Sequence, residues 1–326
     1  MSELSEFDRI AQILRPLTGD NPAALNLADD AALIQPKEGH ELVTTTDTMV
    51  QNIHFLTGEP PDRLASKLLR VNVSDLAAMG AEPFAYMLTT ALPRDFGDAW
   101  LVDFAKGLAA DQKSYGMDLI GGDSVSTTGL LTVSVTAFGY VESGRALRRN
   151  GARPGDGLYV TGTVGDAVLG LDLLRRRQID GLRDEDVDFL TGRYHLPTPR
   201  LEIGRRLVGV AGAVMDLSDG LAGDLDHICS ASGVGATVVA ERVPYSPAAR
   251  RRMDLRPDLA GMALAGGDDY ELLFTVSTQH ESALASVRAE FGVPITRIGA
   301  IVAGSAARFI DELGREITGL AGWRHF

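Results

Sequence analysis

Apolar positions recur along the chain with two different periods, and these periods predict a mixed α/β protein. A period of about 3.6 residues predicts amphipathic helices, at residues 1–14, 62–79, 166–177 and 220–231. Alternating or β-branched runs predict strands, at residues 43–48, 84–92, 130–141, 158–161, 236–240, 270–276 and 295–301. The two prolines of residues 195–199 predict a loop. The pattern gives the type of each element and leaves the order of the strands open.

Residues 143–157 are the best candidate for a domain boundary. Their sequence, SGRALRRNGARPGDG, is rich in glycine, arginine and turn-forming residues. A chain of 326 residues is also longer than one hydrophobic core usually serves. We therefore expect two domains, residues 1–145 and 146–326.

The composition predicts a cytoplasmic globular protein. Hydrophobic residues make up 45% of the chain and charged residues 23%. The acidic helix predicted at the N-terminus does not resemble a signal peptide, and no apolar run reaches the roughly 18 residues that span a bilayer. Cys229 is the single cysteine, which excludes an intrachain disulfide and a thiolate metal cluster. It lies on the apolar face of a predicted helix, where a small buried side chain is expected.

The net charge of −13 argues against a nucleic-acid partner, since phosphate backbones require a basic surface. An acidic chain can still bind a nucleotide if its carboxylates hold divalent cations that in turn hold the phosphates. Taken without motifs, the charge is also explained by solubility alone.

Aspartates stand at the ends of predicted segments, mostly beside glycine, serine or threonine. The segments that contain them are 28–32, 44–48, 72–76, 121–124, 216–220 and 266–271. Magnesium prefers one or two carboxylates together with waters and phosphates, so separated aspartates suit several ions on a polyphosphate. The alternatives are ordinary turns at Asp29-Asp30 and Gly122-Asp123, and a helix cap at Ser218-Asp219.

Asp75 is less easily assigned to a turn or cap. It shares the helical stripe of Leu64, Leu68, Val71 and Met79, so its carboxylate points inward, where an unpaired charge is costly. Its segment offers no basic partner except Arg70.

Glycines 121 and 122 follow the apolar pair Leu119-Ile120, and we interpret them as a turn whose amides can meet a phosphate.

The P-loop and dinucleotide-binding motifs are absent, as are the serine-hydrolase elbow and the zinc-protease histidine pair. His54 is the one histidine close to an acidic motif; alone, it is explained by a structural role.

Taken together, these motifs resemble thiamine-monophosphate kinases, members of the aminoimidazole-ribonucleotide-synthetase-like superfamily. The resemblance runs nearly end to end and is carried by ADDAAL (28–33), TTDTMVQNIHF (45–55), VNVSDLAAMGAEP (71–83), LIGGDS (119–124), RRNGARPGD (148–156), VTGTVGDA (160–167), DLSDGLAGDL (216–225) and GGDDYELLFT (266–275).

The resemblance implies an α/β fold of two domains. The N-terminal domain would bind ATP and Mg²⁺ and form a homodimer through its sheet, and the nucleotide would lie between this domain and a C-terminal α/β domain. No nucleic acid or membrane is implied as a partner.

The resemblance also implies roles for individual residues. The implied metal ligands are Asp30, Thr45, Thr46, Asp47, Asp75, Asp123, Asp216 and Asp219, of which Asp47, Asp75, Asp123 and Asp216 are also the catalytic set. The implied ATP contacts are Tyr115, Gly121, Gly122, Asp123, Arg149 and Ser218. The implied contacts to thiamine monophosphate are His54, Asp268 and Trp323, with Phe326 as the alternative aromatic at the C-terminus.

The activity implied is Mg²⁺-assisted, in-line transfer of a phosphoryl group from ATP to thiamine monophosphate, which gives thiamine diphosphate. The alternatives are another ATP-using member of the superfamily, such as the synthetase of purine biosynthesis, and a catalytically silent nucleotide-binding subunit. The superfamily members that depend on a cysteine near a terminus are disfavoured, because Cys229 lies mid-chain.

Overall fold

The computed structural model describes residues 4–176 and 181–320. It divides into two compact units. Unit 1 comprises the residues up to Leu76 together with Ala81–Gly144, and unit 2 comprises Ala77–Gly80 and the residues from Arg145 onward. The division at Gly144 falls inside the turn-rich segment 143–157.

Unit 1 is built on a four-stranded sheet in the order β1-β4-β2-β3. Its strands are β1 (His40–Val50), β2 (Glu82–Pro93), β3 (Asp118–Thr127) and β4 (Thr132–Glu142). Strand β4 is antiparallel to both β1 and β2, whereas β2 and β3 are parallel. The helices are α1 (Glu6–Arg9), α2 (Pro61–Ala78) and α3 (Asp98–Tyr115).

Burial along the strands shows which face of this sheet is covered. Every second residue of β4, from Val133 to Val141, is buried, and the residues between them are half-buried. Strand β1 alternates in the same way, with Val43 and Met49 buried. This period of two is expected of a sheet with one face packed against helices.

Unit 2 contains a seven-stranded mixed sheet in the order β11-β10-β7-β9-β5-β8-β6. Its strands are β5 (Gly157–Thr161), β6 (Val214–Asp216), β7 (Gly235–Val239), β8 (Leu272–Val276), β9 (Ile295–Val302), β10 (Ala307–Ile310) and β11 (Glu316–Ile317). Its helices are α4 (Asp166–Arg176), α5 (Asp184–His195), α6 (Leu201–Leu207), α7 (Leu221–Ser232), α8 (Pro247–Leu255), α9 (Ala260–Ala265) and α10 (Glu281–Phe291).

Helix α7 packs its apolar stripe into the main core of unit 2, with Leu221, Leu225 and Ile228 fully buried. Cys229 belongs to the same cluster, and burial raises the pKa of its thiol to about 11. The prediction of a small, buried cysteine side chain is confirmed.

The predicted α/β class is confirmed, although several observed elements differ from the predicted ones. Helix α3, most of the helices of unit 2 and strands β6, β10 and β11 were not predicted, and within the described part of the helix predicted at residues 1–14 only Glu6–Arg9 is α-helical. The Gly121-Gly122 segment does not form a turn, because β3 continues through it to Thr127. Strand β8 begins at Leu272, two residues later than predicted. Among the described residues, no helix combines the length and apolar character that a membrane crossing requires.

Candidate active site

In unit 1, helix α2 places polar side chains against strand β1. The hydroxyl of Thr45 donates a hydrogen bond to the half-buried carboxylate of Asp75. The buried Asn72 accepts a hydrogen bond from the backbone N–H of Asp47 at 3.2 Å. Its own amide donates to the carbonyl of Leu68 at 2.9 Å, which fixes its orientation. Asp47 of β1 and Asp75 of α2 therefore both lie where the helix packs against the strand.

Two side chains close to this pair are engaged with other residues. Arg70, the basic residue of α2 nearest to Asp75 in the sequence, forms an ion pair with Asp111 of α3 through bonds of 2.6 and 2.9 Å. The hydroxyl of Thr46 donates to the carbonyl of Val135 on β4 at 3.1 Å. Because neighbouring strand residues alternate, the side chain of Thr46 lies on the opposite face of the sheet from Asp47.

The other predicted residues of unit 1 lie at the ends of elements. His54 follows β1 in a tight turn, where its Nδ1 accepts a hydrogen bond from the N–H of Val50 at 3.0 Å. Asn52 adopts a positive φ of 65° in the same turn. Tyr115 is the last residue of α3 and is half-buried, whereas Asp30 lies exposed in the loop that precedes β1.

Gly122 lies in β3, the edge strand of the sheet, and pairs in register with Leu88 of β2. Its φ is +152°, and a Cβ built on it would lie 1.8 Å from the carbonyl oxygen of Leu88. Only glycine fits this position. Gly122 therefore allows β3 to pair closely with β2 here, and the next residue, Asp123, is exposed.

In unit 2, the segment after β6 and the segment before β8 are joined by backbone hydrogen bonds. The N–H of Leu217 donates to the carbonyl of Glu271 at 2.8 Å, and the N–H of Tyr270 donates to the carbonyl of Leu217 at 2.8 Å. The N–H of Asp268 donates to the carbonyl of Ser218 at 2.9 Å. These bonds bring together four of the predicted site residues: Asp216, Ser218, Asp219 and Asp268.

Two glycines permit this close approach of the two segments. A Cβ at Gly267 would lie 2.0 Å from the carbonyl oxygen of Ser218. At Gly220, where φ is +101°, a Cβ would lie 2.4 Å from the carbonyl oxygen of Ala265. Larger residues would separate the two segments.

Three carboxylates gather where the first segment enters helix α7. Asp224 is fully buried, and burial, followed by the charges of Asp216 and Asp219, raises its pKa to about 8. One of its oxygens accepts a hydrogen bond from the N–H of Asp219 at 3.1 Å. The other, Oδ1, is buried and has no hydrogen-bond partner among the residues that the structure describes. The positive charge of Arg149 lowers the pKa of the same carboxyl and so opposes these effects.

The structure excludes a helix-capping role for Ser218 and Asp219. The N-cap of α7 is Gly220, and no side chain makes a capping hydrogen bond there. Asp219 is half-buried, and its side chain remains available to a ligand.

Two family models match most of the chain. The model described as AIR synthase related protein, N-terminal domain, matches residues 28–141, and the corresponding C-terminal model matches residues 153–312. A thiamine-monophosphate kinase from Caulobacter vibrioides is 42% identical over 325 residues, covering 98% of this chain and 91% of the relative. The chain belongs to the thiamine-monophosphate kinase family.

Solved structures of this family have the same fold. A thiamine-monophosphate kinase from Stenotrophomonas maltophilia is 39% identical with a TM-score of 0.84, covering 94% of this chain and 97% of that one. A structure of AaThiL complexed with AMPPCP and TMP has a TM-score of 0.79 at 28% identity, and the match covers 100% of this chain and 99% of that one.

The acidic residues of both units fit the magnesium that a thiamine-monophosphate kinase is expected to use. In the ranges that the structure describes, no three acidic, histidine or cysteine side chains form a metal cage. Magnesium does not need such a cage, because waters and phosphates supply most of its ligands. The buried Oδ1 of Asp224, which lacks a hydrogen-bond partner, marks unit 2 as a place that a cation would stabilise.

Asp224 was not among the residues predicted from the sequence. The signal that identifies it is the one that drew attention to Asp75. Within α7 it lies three residues after Leu221 and four before Ile228, so the helical period places its carboxylate in the apolar stripe. Trp323 and Phe326, the predicted C-terminal contacts, lie outside the described residues.

Proposed function

We propose that this chain transfers the γ-phosphoryl group of ATP to the phosphate of thiamine monophosphate, which yields thiamine diphosphate and ADP. The observation that carries this proposal is the match to thiamine-monophosphate kinases over nearly the full chain. The related structure that holds AMPPCP together with TMP supports the pairing of ATP with thiamine monophosphate.

The residues proposed for nucleotide binding include the glycines of β3 and the segment after β6. Gly121 and Gly122 allow phosphate to approach the strand backbone, and the hydroxyl of Ser218 can donate to a phosphate oxygen. The remaining proposed nucleotide contacts are Tyr115, Asp123 and Arg149. Thiamine monophosphate is assigned to His54, Asp268 and Trp323.

The acceptor determines which catalytic groups are needed. A phosphate monoester has a second pKa of about 6, so most of it is a dianion at neutral pH. The attacking oxygen is therefore ionised before the reaction, and no side chain has to remove a proton from it. The task of the protein is to hold two anions in line at short range.

The two groups of carboxylates meet that requirement by holding cations. The proposed Mg²⁺ ligands supported by the contacts above are Asp47 and Asp75 in unit 1 and Asp216 and Asp219 in unit 2. The others are Asp30, Thr45, Asp123 and Thr46, and for Thr46 the ligand would be the backbone, because its side chain lies on the other face of the sheet. Bound magnesium would supply charge neutralisation at the phosphate oxygens. Thr45 holds the carboxylate of Asp75 in one orientation, and Asn72 fixes the backbone at Asp47.

We also propose that the chain forms a homodimer through the outer face of the unit 1 sheet and acts in the cytoplasm, where ATP is available. The dimer is supported by the side chains on that face. Leu42 of β1 is 48% exposed and pairs with Tyr140, whose ring stacks on Phe84 at 4.5 Å between centroids. The exposed Leu42, next to these two half-buried rings, favours burial against a second copy.

Acceptor specificity tests the proposed chemistry. Free thiamine carries a neutral hydroxyl and no phosphate, so it should accept phosphate at least roughly 100-fold more slowly than thiamine monophosphate at equal concentration. The products formed from each acceptor can be separated and counted. Comparable rates for the two acceptors would show that the site does not rely on an ionised phosphate.

A further inference from the structure

The segment before β8 contains two non-glycine residues in the left-handed region. Asp268 has a φ of +72° and Tyr270 a φ of +51°. Residues with a side chain seldom adopt this conformation, and it persists only where the surroundings impose it. We name Asp268–Tyr270 the left-handed turn. Its first residue is the acid assigned above to thiamine monophosphate.

The residue that follows the turn is anchored by a buried ionic network. Glu271 is fully buried, and its carboxylate accepts a hydrogen bond from the hydroxyl of Thr161 at 2.7 Å. Arg200 donates two hydrogen bonds to the same carboxylate, at 2.6 and 2.5 Å. Arg193 donates a further bond at 2.9 Å. A carboxylate with these partners holds the chain firmly at Glu271.

Arg193 also contacts the left-handed turn itself. The nitrogen that binds Glu271 donates to the carbonyl oxygen of Asp269 at 3.0 Å, in the peptide between Asp269 and Tyr270. Arg193 thus connects the buried carboxylate to the middle of the turn. At the other end, the hydroxyl of Tyr270 donates to a carboxylate oxygen of Asp268 at 3.3 Å.

We propose that Arg193 and Glu271 are positioning residues, which hold the left-handed turn so that the carboxylate of Asp268 faces the positively charged organic part of thiamine monophosphate. This inference rests on the proposed function. A carboxylate suits the cationic ring of that substrate and would repel its phosphate. Recognition of the organic part of thiamine monophosphate then depends on Arg193 and Glu271, which do not contact the substrate.

A buried ion pair can instead serve stability alone, and a matched pair of variants separates the two roles. Arg193→Met and Arg200→Met each remove one cation from Glu271, and the two side chains are similarly buried, at 11% and 16% exposed. Only the first removes the bond from Arg193 to the carbonyl of Asp269. Both should lower the melting temperature, because each leaves Glu271 less well paired.

The decisive measurement is the Michaelis constant of each substrate in the full-length protein. We expect Arg193→Met to raise KM for thiamine monophosphate roughly tenfold, the effect of one charge-assisted hydrogen bond, and to leave KM for ATP within about twofold. Arg200→Met should change KM for thiamine monophosphate much less. In an Asp268→Ala background, Arg193→Met should have almost no further effect, because the group that it positions is gone.

Three results would overturn the positioning role: an unchanged KM for thiamine monophosphate, an equal rise in both KM values, or the same effect with and without Asp268. If Arg193→Met does not fold, Tyr270→Phe supports the same comparison, since it removes the hydroxyl that binds Asp268 and keeps the ring. An unmodified chain that does not phosphorylate thiamine monophosphate would refute the proposed function. With an active parent, the variants test the positioning role alone.

Discussion

Asp75 occupies a position in α2 where the helical period places it among apolar residues. A carboxylate there loses hydration, so it persists only if other groups satisfy it. The hydroxyl of Thr45 supplies one such bond, and the proposed cation would stabilise the carboxylate further. The sequence predicts the inward carboxylate because the helical period is local. It does not reveal Thr45 as the partner, because that contact joins residues 30 positions apart.

Replacement of Asp75 by asparagine tests its proposed role as a cation ligand. We expect Asp75→Asn to lower kcat at least roughly 100-fold, because a neutral amide cannot replace a charged ligand at the reacting phosphates. The melting temperature should stay within about 5 °C, since the amide oxygen can still accept the bond from Thr45. Asp254→Asn, at an exposed carboxylate of α8, is the matched control. Unchanged kcat at saturating Mg²⁺ would remove Asp75 from the site.

Asp269 stabilises the start of helix α4 in unit 2. It is buried and accepts hydrogen bonds from the N–H groups of Gly165 at 2.5 Å and Ala167 at 3.2 Å. Burial, and after it the charge of the nearby Asp166, raise its pKa to about 8 against the lowering effect of those N–H bonds. Asp166 is itself buried, and burial raises its pKa too.

These raised pKa values predict how stability depends on pH. Because the pKa of Asp269 is higher in the folded chain than its ordinary value of 3.8, the folded state holds the proton more tightly. The free energy of unfolding should therefore fall as pH rises between about 4 and 8, by up to about 1.4 kcal/mol per pH unit for each proton. Asp186, whose pKa is lowered by its arginine partners, affects stability only below this range.

Urea unfolding at a series of pH values, for the unmodified chain and for Asp269→Asn, measures this contribution. The variant should be less stable overall and should show a flatter pH dependence than the parent. If the free energy of unfolding depends on pH in the same way for both proteins, Asp269 is not the group that holds the additional proton in the folded state.

Strand β3 shows why a glycine pair was misread as a turn. Two consecutive glycines are typical of turns, and the signal is correct about conformation, since Gly122 has a positive φ. The partner that decides the outcome is Leu88 on β2, whose carbonyl leaves no space for a Cβ. That pairing joins residues far apart in the chain, and local propensity does not contain it.

Gly122→Ala should disturb both the strand and the nucleotide site. A methyl group 1.8 Å from the Leu88 oxygen forces the strands apart, which should cost roughly 2–4 kcal/mol of unfolding free energy and raise KM for ATP. Gly97→Ala is the control, because a Cβ there meets nothing within 4 Å and φ is −85°. Urea unfolding and ATP kinetics on both variants provide the comparison. If Gly122→Ala and Gly97→Ala have the same unfolding free energy and the same KM for ATP, the close approach of Gly122 to Leu88 is contradicted.

The elements that the sequence predicted share one property, which is a strong local period. Helix α2 was placed within one residue at each end, and strands β5, β7 and β9 were also predicted close to their observed bounds. Helix α3 was missed although Leu101, Phe104 and Leu108 follow helical spacing. The start of β8 was predicted two residues too early for a different reason: Tyr270, the first residue of the predicted strand, belongs to the left-handed turn that the network around Glu271 holds in place.

For the candidate site as a whole, the sequence identified the acidic motifs and the family resemblance assigned their roles. The structure adds how they are held: backbone bonds join Asp268 to Ser218, and a hydroxyl joins Thr45 to Asp75. It also adds Asp224, which gathers with two of the predicted acids. We propose that a chain with a net charge of −13 that binds two anionic substrates depends on cations to do so, and this is the physical basis of the proposed mechanism.

The most direct test of the central claim follows the γ-phosphate of ATP. The purified chain is incubated with γ-labelled ATP, thiamine monophosphate and Mg²⁺, with and without a chelator. We predict that label appears in thiamine diphosphate, one molecule for each ADP formed, and that the chelator abolishes the transfer. Release of the label as inorganic phosphate, or no turnover of ATP with thiamine monophosphate present, would contradict the assignment of this chain as a thiamine-monophosphate kinase.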